Sequence, residues 1–210
     1  MLIAVDGTAA SGKGTLARHL ASRLNLRHLD TGSLYRGVGF SLLRAGFSDA
    51  EITTQIAENA AKNLDFALTE DAEIRTDAVG NLASVVAAMD PVRDALKTRQ
   101  LDFTTAIPDG FDGAILDGRD IGTVILPHAD FKFFVDAAPQ IRAERRRAEL
   151  QAQGAAADID VVLEQLMARD QRDMNRTIAP LKQADDAIFV DTGEKTVDEM
   201  VTFALSAIGR

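Results

Sequence analysis

Cysteine is absent from the 210 residues, which excludes disulfides, thiolate metal sites and thiol nucleophiles together. A basic excess is missing too. Lysine and arginine number 23 against 32 acidic residues, a formal net charge of −9. That excludes a non-specific nucleic-acid binder, whose affinity rests on a basic surface. Any anionic ligand must therefore be held by a local cluster of basic side chains. No apolar run approaches the length that spans a membrane. The N-terminus lacks a basic leader, and its apolar stretch stops at Asp6, so a strand is expected there and not a signal peptide. No linker, repeat or low-complexity tract divides the chain, and one large domain with small inserts is expected. The hydrophobic fraction of 46% is that of an ordinary globule, with a cytoplasmic location expected.

The stretch that organises the rest is 2–20. Four apolar residues, Leu2 to Val5, are long enough for a buried strand and too short for a helix. A glycine-rich turn follows, 7–14, with Lys13 directly after Gly12, and then Leu16, Leu20 and Leu24 recur at helical spacing. Strand, Gly-x-x-x-x-Gly-Lys and helix in that order make a phosphate-binding loop. Its backbone N–H groups turn inward around phosphate oxygens, backed by the positive end of the helix dipole. The cradle is Gly7, Thr8, Ala9, Ala10, Ser11, Gly12, Lys13, Gly14 and Thr15, with Lys13 reaching the β- and γ-phosphates of a nucleoside triphosphate. Gly14 follows the lysine and the hydroxyl comes one residue later, at Thr15. That ending resembles nucleoside monophosphate kinases more than GTPases or motor ATPases.

Further along, a helix is expected over 15–24 and a short strand over 26–30. Turn chemistry at Asp30-Thr31-Gly32-Ser33 precedes a helix through Tyr35, Val38 and Leu42 that ends at Gly46. Ser48 and Glu51 read as a capping box for the next helix. Leu64, Phe66 and Leu68 alternate with polar or small residues and predict a short strand outside the main sheet. A helix is expected over 81–89, then another with Asp90 as N-cap and Pro91 as its first residue. Strands are expected over 114–117, 131–136 and 187–191. Pro139 opens an arginine-rich helix, 153–157 reads as a mobile connection, and a helix carrying Val162 and Leu166 runs on through Arg176. Thr196 and Glu199 box the last helix. Apolar strands alternating with helices specify an α/β fold: a five-stranded parallel sheet covered on both faces, with ligands beyond the carboxyl ends of its strands. The expected division is a core over 1–60 and 90–210, an insert over 61–90 and a short lid over 148–160.

Each buried strand delivers polar residues at its C-terminal end: Asp6, Asp30, Asp117, Asp136 and Asp191. Asp117 is placed to organise Mg²⁺ near the γ-phosphate, partly through water and together with Thr15. At roughly 100° per residue, Arg169, Arg172, Asp173 and Arg176 fall on one helix face, and Arg142, Arg145 and Arg146 repeat the pattern on the helix before. The alternative for either face is a solvated basic surface. In an acidic protein with a phosphate loop, two such faces flanking a connection suggest a lid over phosphates, with Arg145, Arg146 and Arg172 on the triphosphate. The three histidines have no metal-ligand spacing and no nucleophile nearby, and are read as structural.

Taken together, 7–15, Asp30-Thr-Gly-Ser-Leu-Tyr-Arg36, Ile74-Arg-Thr, Asp117-Gly-Arg-Asp-Ile-Gly-Thr123 and Ala168 to Leu181 resemble the bacterial cytidylate kinase family nearly end to end. The resemblance implies a P-loop NTPase fold with a monophosphate-binding insert. It places Thr31, Tyr35 and Arg36 in the monophosphate site, and cytosine recognition on Ser84, Arg93 and Asp120. Arg36, Arg119 and Arg176 would grip the acceptor phosphate, with Arg119 and Arg176 joining Lys13 in catalysis, while Arg169 and Asp173 would hold the sugar. Only Thr69 to Glu73 stand between Leu68 and Ile74, where relatives usually carry a longer β-hairpin. Cytosine presents a donor at C4 and acceptors at N3 and O2, so a carboxylate and a guanidinium complement it. Tyr35 also has a plain alternative as an aromatic packing its helix.

The implied activity is transfer of the γ-phosphoryl of ATP, with Mg²⁺, to CMP or dCMP. The partners implied are these small molecules alone, without nucleic acid or membrane, acting on a monomer. Two readings compete: a kinase for adenylate, thymidylate or a sugar-like acid on the same scaffold, and a nucleotide sensor without catalysis.

Overall fold

The computed structural model describes residues 1–152 and 154–210. The chain forms two compact units: the first comprises Met1–Leu29, Ile107–Asn175 and Ala179–Arg210, the second Asp30–Ala106 and Arg176–Ile178. The expected lid segment, 148–160, belongs to the first unit. The expected insert, 61–90, lies inside the second.

The first unit is built on β1 (Leu2–Gly7), α1 (Lys13–Leu24), β2 (Arg27–Asp30), and, after the intervening helices of the second unit, on the strands Ala114–Gly118, Phe131–Asp136 and Ile188–Asp191. These last three are β3, β4 and β5, and the sheet order is β2-β3-β1-β4-β5. β1 is central and pairs in parallel with β3 and β4, which explains its uninterrupted burial from Ile3 to Gly7. Ile3, Val5, Ile115, Phe133, Val135 and Val190 meet Leu16 and Leu20 of α1 and Met200 and Val201 of the last helix in one core. The register sets Val5 opposite Asp117 and Asp136 opposite Asp191, so the strand-end carboxylates line one edge, as the sequence predicts. The last helix, Val197–Ile208, carries the expected capping box of Thr196 and Glu199.

The second unit is helical. Its elements are α2 (Thr31–Arg44), α3 (Thr54–Lys62), α4 (Asp77–Val86) and α5 (Asp90–Thr105). α2 packs on α3 and α4, and α3 packs on α5. Several expectations are corrected here. The alternating Leu64, Phe66 and Leu68 do not make a strand: Phe66–Thr69 is a 3-10 turn. The Asp65 carboxylate accepts the Ala67 N–H at 3.0 Å and Asp71 accepts the Glu73 N–H at 2.8 Å, local bonds that outcompete pairing with a strand. The box of Ser48 and Glu51 forms but closes only the 3-10 turn Asp49–Glu51, and α3 takes its own cap from Thr53. α4 starts and ends earlier than 81–89, because Thr76 caps it. Met89, not Asp90, is the N-cap of α5; Pro91 stays in the first turn, where a missing N–H costs nothing.

Two further helices of the first unit, α6 (Pro139–Ala152) and α7 (Ile159–Asn175), pack on each other. The helix Val197–Ile208 is then α8. Of the connection 153–157, Gln153 lies outside the described residues. Gly154 and Ala155 donate back to the Gln151 and Leu150 carbonyls, both at 3.0 Å, and Ala157 packs beside Leu150, Val162 and Leu166. No described helix is long and apolar enough to cross a membrane.

Candidate active site

The loop from β1 to α1 is held open by bonds to its outside. A Cβ on Gly7 would lie 2.0 Å from the Val135 carbonyl oxygen, so only glycine lets β1 run this close to β4. Gly12, the N-cap of α1, has φ of +89°, a left-handed turn that favours glycine. Thr8 Oγ1 donates to Asp136 at 2.6 Å, and Thr192 Oγ1 donates to the Ser11 carbonyl at 2.7 Å. Lys13 Nζ lies 3.4 Å from the Thr8 carbonyl, across the loop. The N–H groups opening α1 have no partner within the helix, which makes them donors for an anion. Thr192, directly after the predicted Asp191, is a support that the reading of the strand ends passed over.

Beside the loop, the Asp117 carboxylate stands 3.7 and 3.9 Å from where a Cβ on Gly14 would be, which places it over the first turn of α1. His28 Nε2 is 2.7 Å from Asp117 Oδ2. One of the three histidines read as structural therefore touches a candidate site residue, a contact across 89 positions that spacing cannot reveal. The Thr15 hydroxyl accepts from Arg18 Nη2 at 3.3 Å. Among the described residues no three His, Cys, Asp or Glu side chains cluster to cage a metal. Asp117 and Thr15 fit the sparse donor set of Mg²⁺, which keeps its waters and takes phosphate oxygens.

The turn after β3 is fixed from β1. Asp6 is buried, and its two oxygens accept the Ile121 N–H at 2.8 Å and the Gly122 N–H at 2.7 Å. Burial pushes the Asp6 carboxyl up to about 7, and nearby Asp120 adds to this. The two N–H donors and Arg119 pull the other way. Arg119 Nε donates to Asp173 Oδ2 at 2.8 Å. Burial pulls the Arg119 guanidinium down, but Asp173, with Asp170 and Asp117 behind it, more than offsets this and holds it above its ordinary value. Arg119 is a permanent cation held by α7.

The two arginine faces are rearranged relative to the sequence expectation. α7 ends at Asn175, so Arg176 lies beyond the helix and off the predicted face, while Arg172 is exposed and Asp173 buried. Arg142 is buried in the protein and donates to the Ala137 and Ala9 carbonyls. Arg145 donates to Thr192 Oγ1 at 2.9 Å and to its carbonyl at 2.6 Å, and Arg146 reaches Glu149 at 3.2 Å. Arg169 stands on α7 one turn before Asp173.

The second unit gathers most of the residues assigned to the monophosphate. Arg93, on α5, is 7% exposed, donates to the Ala87 carbonyl at 3.3 Å and lies 5.8 Å over the Tyr35 ring. Arg36 donates to the Ile74 carbonyl at 2.7 Å and the Thr76 carbonyl at 3.3 Å. A Cβ at Gly80 would come within 3.0 Å of its guanidinium, so the glycine leaves room for it. Thr31 is buried at the start of α2. Ser84 Oγ is closed off from solvent without a hydrogen-bond partner. Arg176 belongs to this unit, and Asp120, Arg169 and Asp173 belong to the first.

A central strand, a glycine loop with its lysine, a helix N-terminus and a strand-end carboxylate define a nucleotide-binding protein of the P-loop class. The fold is shared with solved kinases: a gluconokinase from Sinorhizobium meliloti 1021 (TM-score 0.52, 13% identity, 100% of this chain and 91% of that chain) and a sugar kinase from Janibacter sp. HTCC2649 (TM-score 0.52, 13% identity, 99% and 94%). At such identities the likeness is one of fold alone. The sequence carries the assignment further. The cytidylate kinase family model matches residues 3–210. The cytidylate kinase of Rhodospirillum rubrum is 46% identical over 208 residues, 99% of this chain and 97% of that protein. That of Azorhizobium caulinodans is 48% identical over 210 residues, 100% and 98%. The chain belongs to the cytidylate kinase family.

Proposed function

We propose the following division of roles for a chain that phosphorylates CMP and dCMP with ATP as donor. An oxygen of the acceptor monophosphate attacks the γ-phosphorus, and the bond to the β–γ bridging oxygen breaks, giving CDP or dCDP and ADP. The acceptor is already an ionised phosphate, so no general base or covalent intermediate is needed; positioning and charge neutralisation carry the rate. Residues 7–15 cradle the triphosphate, and Lys13 neutralises charge at its β- and γ-phosphates. Arg36, Arg119 and Arg176 take the acceptor phosphate, Thr31 and Tyr35 line its site, and Arg169 and Asp173 hold the sugar. Arg145, Arg146 and Arg172 serve the donor phosphates. Thr15 and Asp117, partly through water, would hold Mg²⁺, which shields the phosphate charges when bound. Ser84, Arg93 and Asp120 read cytosine.

The observation that carries this division is the sorting of residue types within each unit. Lys13, Asp117 and the N-terminus of α1 meet around one loop in the first. In the second, the Arg93 guanidinium stands over the Tyr35 ring, and the same unit holds the orphaned Ser84 hydroxyl. A buried hydroxyl without a partner is costly unless a polar ligand supplies one. We take the protein to work as a cytoplasmic monomer on small molecules alone.

The test is kcat/KM for CMP, dCMP and UMP at saturating ATP and Mg²⁺. CMP and dCMP should agree within roughly tenfold, and UMP should be far poorer, because uracil turns an acceptor toward Asp120 where cytosine has its amino donor. Asp120→Ala should narrow the CMP-to-UMP ratio mainly by harming CMP. Equal use of UMP by the wild type would remove the cytosine roles of Ser84, Arg93 and Asp120.

A further inference from the structure

A buried ion pair with no part in the roles above grips the phosphate loop from behind. α7 buries Val162, Leu166, Asp170 and Asp173, so Asp170 occupies a helix position where the spacing asks for an apolar side chain. On α6, Arg142 is buried next to Ala143. The two side chains pair through Arg142 Nη1 and Asp170 Oδ2, and both then turn to Ala9. The Ala9 N–H donates to Asp170 Oδ1 at 3.2 Å, and Arg142 Nη1 donates to the Ala9 carbonyl at 3.2 Å. Ala9 itself is buried among Ala143, Leu150, Val162 and Leu166. The next residue, Ala10, takes φ of +57°, a left-handed conformation that alanine seldom adopts unless its surroundings impose it.

Stability does not account for this arrangement. Well-packed apolar residues of similar volume often match or exceed a buried ion pair. Geometry accounts for it better: one pair satisfies both backbone polar atoms of a single loop residue and so sets where the chain turns at Ala10. We propose that Arg142 and Asp170 are positioning residues for the phosphate loop. They hold the backbone of Ala9 to the protein side, so the triphosphate is left to the N–H groups that open α1, and they register α7, with Arg169 and Arg172, to the loop. Ala9 then lines the cradle without donating to phosphate. The inference rests on residues 7–15 being the triphosphate site.

Two measurements test it. In the wild-type protein, amide hydrogen exchange is followed with and without ATP alone. The Ala9 amide should be equally protected in both states, whereas the amides of Lys13, Gly14 and Thr15 should gain protection by tenfold or so on adding ATP. A gain at Ala9 matching that at Lys13 overturns the proposal. No gain anywhere in 7–15 sinks the site assignment and the proposal with it, so the two failures are told apart. The second measurement is ATP affinity, with KM for ATP and CMP, of the double variant Arg142→Met, Asp170→Leu and of Asp170→Asn. Both variants should bind ATP on the order of tenfold more weakly, with KM for ATP moving several-fold more than KM for CMP. A folded variant of either kind with wild-type ATP affinity overturns the proposal, and if neither folds, the exchange pattern decides it.

Discussion

Ser84 joins two facts that usually oppose each other. Its hydroxyl is enclosed without a partner, a condition that costs about 1–3 kcal/mol, and it shares the second unit with Arg93, which is also proposed to read the base. A packing residue would have been served as well by alanine. The expected outcome for Ser84→Ala is therefore a split. Stability to urea should stay level or rise by up to about 1 kcal/mol, while KM for CMP rises several-fold with KM for ATP unmoved. Lower stability with unchanged CMP kinetics would return Ser84 to a packing role. His28 poses the reverse case at the same scale. Nothing around it in the chain marks it, yet its ring meets the Asp117 carboxylate at 2.7 Å.

Among the elements, the junction of β1 with the turn Ile121–Ile125 carries a carboxyl shifted into the neutral range, Asp6. Its carboxyl, pushed up to about 7 by burial, favours the protonated form in the folded state. The sign follows directly: the stability gained is fully present below the ordinary carboxylate pKa near 4 and is lost as pH rises through 7. Asp6→Asn removes that titration and gives up one acceptor for Ile121 or Gly122 at every pH. Urea unfolding at pH 5, 6, 7 and 8 should show the wild type losing on the order of a few kcal/mol relative to the variant across that range. A difference that stays constant with pH would show that Asp6 titrates normally. Contiguous features of these elements were legible in advance. β4 matches its predicted span, 131–136, and the phosphate loop lies within fifteen residues of the N-terminus. The 3-10 turn Phe66–Thr69 was not legible, because an alternating pattern says nothing about whether a partner strand exists. Nor were the supports of the loop: Thr192 reaches Ser11 across 181 positions and Asp170 reaches Ala9 across 161. Arginine spacing on α6 and α7 suggests a lid over phosphates, yet Arg142 is buried against the Ala137 and Ala9 carbonyls and Asp170.

At the scale of the whole molecule, the proposed acceptor residues divide: Thr31, Tyr35, Arg36, Ser84, Arg93 and Arg176 lie in the second compact unit, and Arg119, Asp120, Arg169 and Asp173 share the first with Lys13. Ligand-linked stability separates the two proposed sites by mutation at residues assigned to one ligand each. A ligand at 100 times its Kd stabilises the folded state by about 2.7 kcal/mol, and for a chain of this size that corresponds to roughly 5 to 10 °C in Tm. ATP alone and CMP alone should each raise Tm by an amount of that order. Lys13→Met should shrink the ATP-induced rise by more than half and leave the CMP-induced rise in place, because the proposed role of its charge is at the β- and γ-phosphates alone. Arg93→Met should do the opposite, each shift being measured from the variant's own ligand-free Tm. Turnover of Lys13→Met should fall by about 10² to 10³, the usual loss when such an electrostatic contact is removed. If Lys13→Met trimmed both ligand shifts equally, the lysine would be supporting the fold and not the triphosphate, and its assignment to the donor would fail with it.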